Sequence, residues 1–203
     1  MATASDDHTI RLWGVQGGTQ EGLLTGHTDW VRGCAFSPDG TLLASASHDA
    51  TIRLWRVSDR TQQAVLSGHG GPVTSCAFTP DGGLLATTSH DHTVRLWHVR
   101  DGTRAGILTG HDNRVWACAV SPDGNVLATT SDDHTIRLWN LRTGRVQGLL
   151  ASPTRSLSCV FSPDGALLIS ANDDGRVRLW DLADQAERVV LPAVGGARRR
   201  FVS

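Results

Sequence analysis

The sequence predicts an all-β fold built from about five copies of one unit. Five tryptophans recur at intervals of 42 or 41 residues: Trp13, Trp55, Trp97, Trp139 and Trp180. A turn of the form Ser/Thr-Pro-Asp-Gly recurs four times, at 37–40, 79–82, 121–124 and 162–165. A fixed period that covers most of a chain is the signature of a repeat architecture, in which each copy is one supersecondary unit.

Each unit is predicted to contain four short antiparallel strands. In the second unit, VRGCAF, TLLASAS and TIRLWRV are short runs rich in β-forming residues, and AVLSG supplies a shorter fourth run. The SPDG segment joins the first two strands as a hairpin turn, because Pro presets the backbone and Gly takes the positive φ that follows. An Asp then ends the second strand of each unit and suits a tight turn, since its side chain can bond the backbone two residues on.

Such a sheet cannot bury both of its faces alone, so copies are expected to stack radially, face to face, as the blades of a β-propeller. The predicted units are 1–25 (partial), 26–67, 68–109, 110–150 and 151–191. The remaining residues, 192–203, carry three arginines and are predicted to be a disordered tail.

The first unit begins inside its second strand and lacks the innermost strand, which predicts an incomplete blade and a partial or open propeller. Met1 aligns with strand segments that other units bury, 42–44 and 126–128. We therefore expect the chain to be the C-terminal fragment of a longer protein. The alternative is a short chain that completes its ring by self-association through its open edges, which would otherwise expose apolar faces.

The order of motifs in each unit resembles the Trp-Asp (WD) repeat family of β-propellers. Gly-His is followed by SPDG, then by the Asp turn, then by a strand that ends in Trp, over residues 1 to about 191. Only the last copy spells Trp-Asp, at Trp180 and Asp181. The fifth unit has ASPTRS where the fourth has TGHDNRV, so it is one residue shorter and lacks the His.

The central units each hold a Ser or Thr, a His and an Asp at fixed spacing, which is the inventory of a nucleophilic hydrolase. The resemblance implies a different role, a structural hydrogen-bond relay that ends on the strand Trp. Carried over by position, the sets are His27, Ser45, Asp49 and Trp55; His69, Thr87, Asp91 and Trp97; and His111, Thr129, Asp133 and Trp139. The fifth unit keeps Ser170, Asp174 and Trp180, and without its His we expect a broken relay and the loosest blade.

These residues do not indicate an enzymatic function. A buried indole N–H without an acceptor costs about 1–3 kcal/mol, which gives the relay a structural purpose. Three identical sets suit structure, whereas catalysis needs one set beside a cleft. The chain has no G-x-S-x-G motif and no Lys for a phosphate-binding loop. We therefore expect no catalytic residue and no cofactor.

No metal site is predicted either. One Cys per unit, at the same place in a strand, indicates a small buried filler rather than a ligand or a disulfide. These residues are Cys34, Cys76, Cys118 and Cys159. His90 and His92 flank Asp91 and suggest a metal site, but the residue types at these positions vary between units, which does not suit a fixed set of ligands.

Composition limits the partners and the compartment. The formal net charge is −1, so no overall field would attract nucleic acid or an anionic membrane. No apolar run approaches the roughly 20 residues that span a bilayer, and the charged first residues do not form a signal peptide. The cytoplasm is the expected compartment, and other proteins are the expected partners.

If the repeated positions are scaffold, function should lie where the units disagree. In the WD family the loops around Gly-His and the Asp turn share one face, which often meets partners. The candidate partner-binding residues on it are Thr28, Trp30, His48, Pro72, His90, Asp112, Arg114, Asp132, Arg155 and Asp173. Trp30 leads this set, because exposed Trp and Arg most often anchor protein interfaces; its alternative role is a cover over the end of a blade.

The expected function is a non-catalytic scaffold for protein–protein interaction. One alternative is a regulatory or docking module fused to an upstream signalling enzyme of the kinase or NTPase type, which rests on family analogy. Another is a propeller enzyme or small-ligand binder that uses the central channel. An isolated polar cluster that breaks the repeat would favour the last reading, and the sequence shows none.

Overall fold

The computed structural model describes residues 1–192, which form nineteen β-strands in five antiparallel sheets. The predicted tail lies outside the described residues except for Pro192. Blade 1 has three strands: β1 (Ala2–Ala4), β2 (Ile10–Trp13) and β3 (Gln20–Leu24). Blade 2 has β4 (Val31–Phe36), β5 (Leu42–Ser47), β6 (Thr51–Arg56) and β7 (Gln62–Ser67). Blade 3 has β8 (Val73–Phe78), β9 (Leu84–Ser89), β10 (Val94–His98) and β11 (Arg104–Leu108).

The last two sheets repeat this plan. Blade 4 has β12 (Val115–Val120), β13 (Val126–Ser131), β14 (Thr135–Asn140) and β15 (Arg145–Ala151). Blade 5 has β16 (Ser156–Phe161), β17 (Leu167–Asn172), β18 (Val177–Asp181) and β19 (Ala186–Leu191). In every sheet the strands pair in chain order. The prediction of an all-β array with a first blade that lacks one strand is therefore confirmed, and the five blades form an arc that is not closed.

The turn chemistry explains why each chain reversal occurs where it does. In the turn 37–40 the amide of Gly40 donates to the carbonyl of Ser37, and Gly40 has a φ of 71° that favours glycine. The carboxylate of Asp39 accepts from the Ser37 hydroxyl at 2.5 Å and from the Thr41 amide at 3.0 Å. These bonds close the hairpin without help from the rest of the blade.

The core lies between consecutive blades. Ala44, Ile52 and Leu54 of blade 2 pack with Leu85 and Trp97 of blade 3 in one buried cluster. Equivalent clusters join blades 1 and 2, blades 3 and 4, and blades 4 and 5. The four cysteines are free, one in each four-stranded sheet, and three of them are buried in these interfaces. The apolar faces are thus covered by the neighbouring blade, as radial stacking requires.

Each four-stranded sheet has a bulge at the start of its innermost strand. The register shifts between Val31 and Gly33 in blade 2, and at the corresponding residues in blades 3, 4 and 5. A bulge re-aims the extra residue, so it changes where one side chain per blade is presented.

The ends of the strands define two faces. The upper face holds the Gly-His loops and the Asp turns, which are tied together by bonds such as that between His27 and Asp49. The lower face holds the SPDG turns and the loops between third and fourth strands, joined by bonds such as Val57 N–H to the Thr41 carbonyl at 2.9 Å. Within residues 1–192 no helix is long and apolar enough to cross a membrane.

Candidate functional site

The three central blades each contain a continuous hydrogen-bonded chain from strand Trp to turn Asp. In blade 2, Trp55 Nε1 donates to Ser45 Oγ at 2.9 Å, and Ser45 Oγ lies 2.8 Å from His27 Nε2. His27 Nδ1 lies 2.8 Å from Asp49 Oδ2. In blades 3 and 4 the same contacts measure between 2.7 and 2.9 Å, in the sets His69, Thr87, Asp91, Trp97 and His111, Thr129, Asp133, Trp139.

Each atom of the relay has a defined role. The hydroxyl accepts from the indole and donates to the neutral His Nε2, so the His proton is on Nδ1 and faces the Asp. Asp49 also accepts from the Thr51 hydroxyl at 2.6 Å and from the Thr28 amide at 3.1 Å. The relay therefore ties the Gly-His loop, the Asp turn and two strands of one blade together.

Burial sets the protonation states. Burial lowers the pKa of His27 and His111 below the ordinary value, with only partial compensation by their Asp partners. Burial raises the pKa of Asp49 and Asp133, but hydrogen bonds from threonine and histidine outweigh it and bring each pKa to about 2. At neutral pH the relays of blades 2 and 4 therefore hold a neutral His beside an ionised Asp.

The geometry of Ser45, His27 and Asp49 is that of a catalytic triad, but its accessibility is not. The hydroxyl-bearing residue is fully buried in all three sets, at Ser45, Thr87 and Thr129. Its oxygen is already occupied by the indole on one side and by the imidazole on the other. Within residues 1–192 each of these oxygens is therefore enclosed by its own blade and in contact with both of its hydrogen-bond partners.

In blade 5, which has no His in this position, Asn172 bonds the Ser170 hydroxyl instead. Trp180 Nε1 donates to Ser170 Oγ at 3.0 Å, and that hydroxyl donates to Asn172 Oδ1 at 3.1 Å. Asn172 Nδ2 in turn donates to Ser152 Oγ and Ser156 Oγ, each at 2.9 Å. The relay to the turn Asp is therefore broken in blade 5, as expected, but the Asn172 amide carries the hydrogen-bond network on to the shortened loop.

Asp174 does not belong to the blade 5 network, which corrects its assignment from the sequence. With no His to receive, its carboxylate is bound by Arg178 Nη2 at 2.7 Å, and the Arg178 side chain is buried. In blade 1 the turn residue Asp7 forms the equivalent ion pair with Arg11 at 2.6 Å. The predicted looseness of blade 5 stays a prediction.

The candidate binding residues of the upper face include a row of aromatic rings that crosses blades 2 to 4. The ring centroids of Trp30 and His48 lie 5.4 Å apart, those of His48 and His90 lie 5.6 Å apart, and those of His90 and Trp116 lie 4.9 Å apart. The Arg32 guanidinium lies over Trp30 at 4.6 Å from the ring centroid. Trp30 is 42% exposed, so it forms the accessible end of this aromatic row.

Ion pairs flank the aromatic row at both ends. Arg32 of blade 2 reaches Asp6 of blade 1 at 3.3 Å. At the other end Arg155 of blade 5 lies 2.7 Å from Asp173 and 3.5 Å from Asp132 of blade 4. Asp132 also accepts from Trp116 Nε1 at 2.6 Å. Side chains from all five blades are therefore connected across the upper face.

His90 occupies the centre of the aromatic row. Burial lowers its pKa, and the positive charges of Arg114 and Arg32 and the neighbouring His48 act in the same direction, while Asp132 opposes them. Its Nε2 atom is buried and has no hydrogen-bond partner among residues 1–192. His90 is therefore neutral at physiological pH.

The remaining candidates lie in the loops that support this row. The amides of Thr28 and Asp112 donate to the relay carboxylates of Asp49 and Asp133, at 3.1 Å each. The carbonyl of Pro72 accepts from the amide of His90, and the carbonyl of Arg114 accepts from the amide of Asp132, at 2.9 and 3.0 Å. The Arg114 side chain is exposed.

Trp116, Arg32 and Asp6 were not among the upper-face residues predicted from the sequence. Arg32 and Trp116 occupy the bulge position of blades 2 and 4, which aims them at His48 and Asp132 of their own blades. The bulge carries no Gly or Pro signal at that residue, so the strand pattern alone does not reveal it.

The innermost strands of blades 2 to 5, together with β1, line a cavity of about 710 Å³ on the inner side of the arc, which we call the central channel. Its lining is dominated by small and apolar side chains, among them Ala35, Ala77, Ala119 and Val160, with Arg32 and Trp116 also lining it. Among the described residues no group of three or more His, Cys, Asp or Glu side chains is arranged to hold a metal ion.

Radially stacked four-stranded sheets with a Trp-hydroxyl-His-Asp relay define a propeller-type repeat protein. The family model described as WD domain, G-beta repeat, matches four segments of the chain, at 18–56, 60–98, 102–140 and 145–181. The chain belongs to the WD-repeat family. Its members typically bind other proteins and are generally non-catalytic.

Curated relatives match single repeats. Ribosome assembly protein 4 of Chaetomium thermophilum is 49% identical over 43 residues, which are 21% of this chain and 8% of that protein. Nuclear distribution protein PAC1 of Mycosarcoma maydis is 54% identical over 43 residues, 21% of this chain and 10% of that protein. Non-functional target of rapamycin complex subunit LST8-2 of Arabidopsis thaliana is 50% identical over 40 residues, 20% of this chain and 13% of that protein. The matched segments thus span about a tenth of these relatives.

Proposed function

We propose that this chain is a non-catalytic scaffold that binds other proteins through its upper face. The observation that carries this proposal is the aromatic row from Trp30 to Trp116, which joins three blades and leaves a large apolar side chain 42% exposed at one end. Tryptophan and arginine dominate the energetics of protein interfaces, and Arg114 is exposed beside the row.

The relay supports the non-catalytic part of the proposal. A nucleophilic serine needs an open approach for its substrate and a nearby oxyanion hole. Ser45 is fully buried beneath Trp55, and its equivalents in blades 3 and 4 are threonines in the same surroundings. The hydrogen bonds therefore serve to satisfy buried polar atoms, each of which would cost about 1–3 kcal/mol if left unpaired.

The central channel favours the scaffold over a small-ligand binder. Ligand sites combine an apolar pocket with a few convergent polar groups that fix the orientation of the ligand. The channel is lined mainly by short side chains that repeat from blade to blade, such as Ala77 and Ala119. Its polar residues at the upper end, Arg32 and Trp116, are engaged with Asp6 and Asp132.

The relatives are consistent with a role in assemblies. Their names include a ribosome assembly protein and a non-functional target of rapamycin complex subunit. A docking module within a longer signalling protein would use the same face, so it is the second form of this proposal. We also propose the cytoplasm as its compartment, because four free thiols suit a reducing environment.

The upper face is tested with the chain as bait in an extract of the cell that produces it. Proteins retained by the native chain should be lost when Trp30→Ala and Arg114→Ala are combined. The matched control is Val15→Ala, which removes another exposed apolar side chain, 84% exposed, at the lower end of blade 1. Retention that is equal for all three chains would contradict the proposal.

A second interaction follows from the far face of blade 5. Leu66, Leu108 and Leu150 are 3%, 4% and 1% exposed because the next blade covers them, whereas the equivalent Leu191 is 47% exposed. We propose that this face packs against a further sheet of the same kind. When the chain is purified alone, a second copy of it supplies that sheet. An uncovered apolar face of a blade is otherwise costly in water.

Light scattering after gel filtration measures this association. The chain has a mass of 21.7 kDa, and we expect a larger particle whose mass falls on dilution. Leu191→Asp should return it to the monomer mass. Val190→Asp is the matched control, because Val190 lies on the opposite face of the same strand and is 39% exposed. A native chain that stays at 21.7 kDa at all concentrations would exclude self-association.

A further inference from the structure

The lower face carries a group of arginines that the upper-face function does not use. Six exposed arginines lie in or beside the loops between third and fourth strands of blades 2 to 4: Arg56, Arg60, Arg100, Arg104, Arg142 and Arg145. We call them the lower arginine rim. None of them forms an ion pair within residues 1–192, whereas Arg32, Arg155 and Arg178 are all paired with carboxylates.

The three loops form one continuous edge. Gly102 of the blade 3 loop lies against Leu66 in the outer strand of blade 2, and Gly144 of the blade 4 loop lies against Leu108 in the outer strand of blade 3. Each loop is also tied to the neighbouring SPDG turn, as Val99 N–H is to the Gly83 carbonyl at 3.1 Å. The arginines are therefore held on adjacent rigid turns rather than on independent segments.

The carboxylates within the rim do not neutralise it. Only Asp59 and Asp101 lie in these loops, and each is bound by the threonine of its own turn, Thr61 at 2.7 Å and Thr103 at 2.6 Å. These hydrogen bonds lower the pKa of both carboxyls, so both are ionised at neutral pH. Six arginines against two aspartates leave a local positive excess in a chain whose formal net charge is −1.

The rim is bounded on both sides and on its inner edge. The corresponding loop of blade 1 has no arginine, and Arg188 of blade 5 is already paired with Asp181 and Asp184. Nearer the channel, the SPDG turns place Asp39, Asp81 and Asp123 on the same face. The positive surface is therefore a strip along the outer edge of three blades, beside a strip of negative charge.

The geometry points to the lower arginine rim as a docking strip for an extended acidic segment of a partner protein, on the face opposite the aromatic row. Arginine binds carboxylates with two parallel hydrogen bonds, and a narrow chain can follow the outer edge without meeting the inner aspartates. A nucleic acid or a membrane would cover both strips. The loops 56–61, 98–103 and 140–145 also contain no Trp, Tyr or Phe on which bases could stack.

Binding is measured by fluorescence anisotropy with a labelled octaglutamate peptide, at low salt and at 0.3 M salt. The native chain should bind the peptide, and binding should weaken as salt screens the charges. Arg100→Gln with Arg142→Gln should weaken binding at least tenfold. Arg176→Gln with Arg188→Gln is the matched control, because it removes the same charge from exposed positions outside the rim and should change affinity less than twofold.

The same assay separates the other partners. A labelled oligothymidine and vesicles containing phosphatidylserine should both bind more weakly than the peptide. Tighter binding of either of them than of the peptide would overturn the proposal. An equal loss of peptide affinity in the two double variants would also overturn it, and so would a failure of the native chain to bind the peptide at low salt. Circular dichroism of each variant confirms that the blades are folded, and Arg56→Gln with Arg104→Gln gives an independent pair from the same rim.

Discussion

Removing the Thr129 hydroxyl is the most direct test of how much the relay stabilises a blade. Replacing Thr129 by valine keeps the shape of the side chain and deletes one oxygen. That oxygen accepts from Trp139 Nε1 at 2.8 Å and lies 2.8 Å from His111 Nε2. Both partners are buried, so neither can bond to water instead once the oxygen is gone.

The magnitude follows from the two polar atoms that lose their partner. A buried polar atom left unpaired costs about 1–3 kcal/mol, and two of them, less the cost of burying the deleted hydroxyl, give a loss of about 2–4 kcal/mol. The adjacent residue supplies the control. Thr130 is equally buried in the same strand, and its hydroxyl has no hydrogen-bond partner. Thr130→Val should leave stability unchanged or raise it by about 1 kcal/mol.

Urea unfolding of the native chain and of both variants measures these differences. The midpoint should fall for Thr129→Val and hold or rise for Thr130→Val, with similar slopes because the surface exposed on unfolding is the same. Hydrogen exchange should place the loosening in blade 4. Equal losses in the two variants would refute the reasoning, because the loss would then come from the threonine-to-valine change itself and not from the relay.

Three further predictions concern pH, blade 5 and reactivity. Burial lowers the pKa of His27 and His111 from 6.5, so the folded state binds fewer protons than the unfolded chain. The stability that they contribute is present above about pH 6.5 and should be lost as pH falls through their lowered pKa. Urea unfolding at pH 7.5 and 5.5 measures this loss, and the difference between the two pH values should be smaller in His111→Gln. Asn172→Ala should lower the free energy of unfolding by about 1–3 kcal/mol, because it removes one hydrogen-bond partner from each of three buried serines. Asp173→Ala, at the next residue, should lower it by under about 1 kcal/mol in the same assay. Ser45 should stay unmodified by a fluorophosphonate probe in intact-mass measurements under native conditions, and labelling there would reopen the enzyme hypothesis.

Much of the fold follows from the sequence because the period is carried by residues with one physical use. A Trp at the end of a strand needs cover and an acceptor, and a hydroxyl, a His and an Asp at constant spacing provide them within one blade. The strand count also follows, since Pro-Asp-Gly and Asp turns fix the reversals. These contacts are local to a blade, so the pattern of one unit contains the information.

The contacts between blades were harder to predict. His48 meets His90 across a blade boundary, and His90 meets Trp116 across the next one. The contact of His90 with Trp116 depends on the bulge that places Trp116 at the upper face, and no residue type marks that bulge. Asn172 was missed for another reason: it lies two residues from the serine that it bonds, at a position that serine or asparagine can fill without altering the strand pattern.

The arginine at the fifth residue of each Asp turn shows how one position takes two roles. Where the blade has its His, as in blade 2, the turn Asp bonds the His, and Arg53 is left beside Gly26 of the Gly-His loop. Where the His is absent, as in blade 5, Arg178 takes the carboxylate. The same arginine thus compensates for a lost histidine, so a blade can shorten its upper loop without leaving a carboxylate unpaired. Because the arginine can pair with the turn Asp, loops on the upper face can differ between blades while the sheets beneath them stay alike. The proposed scaffold function requires such differences, since they allow the face to distinguish one partner from another.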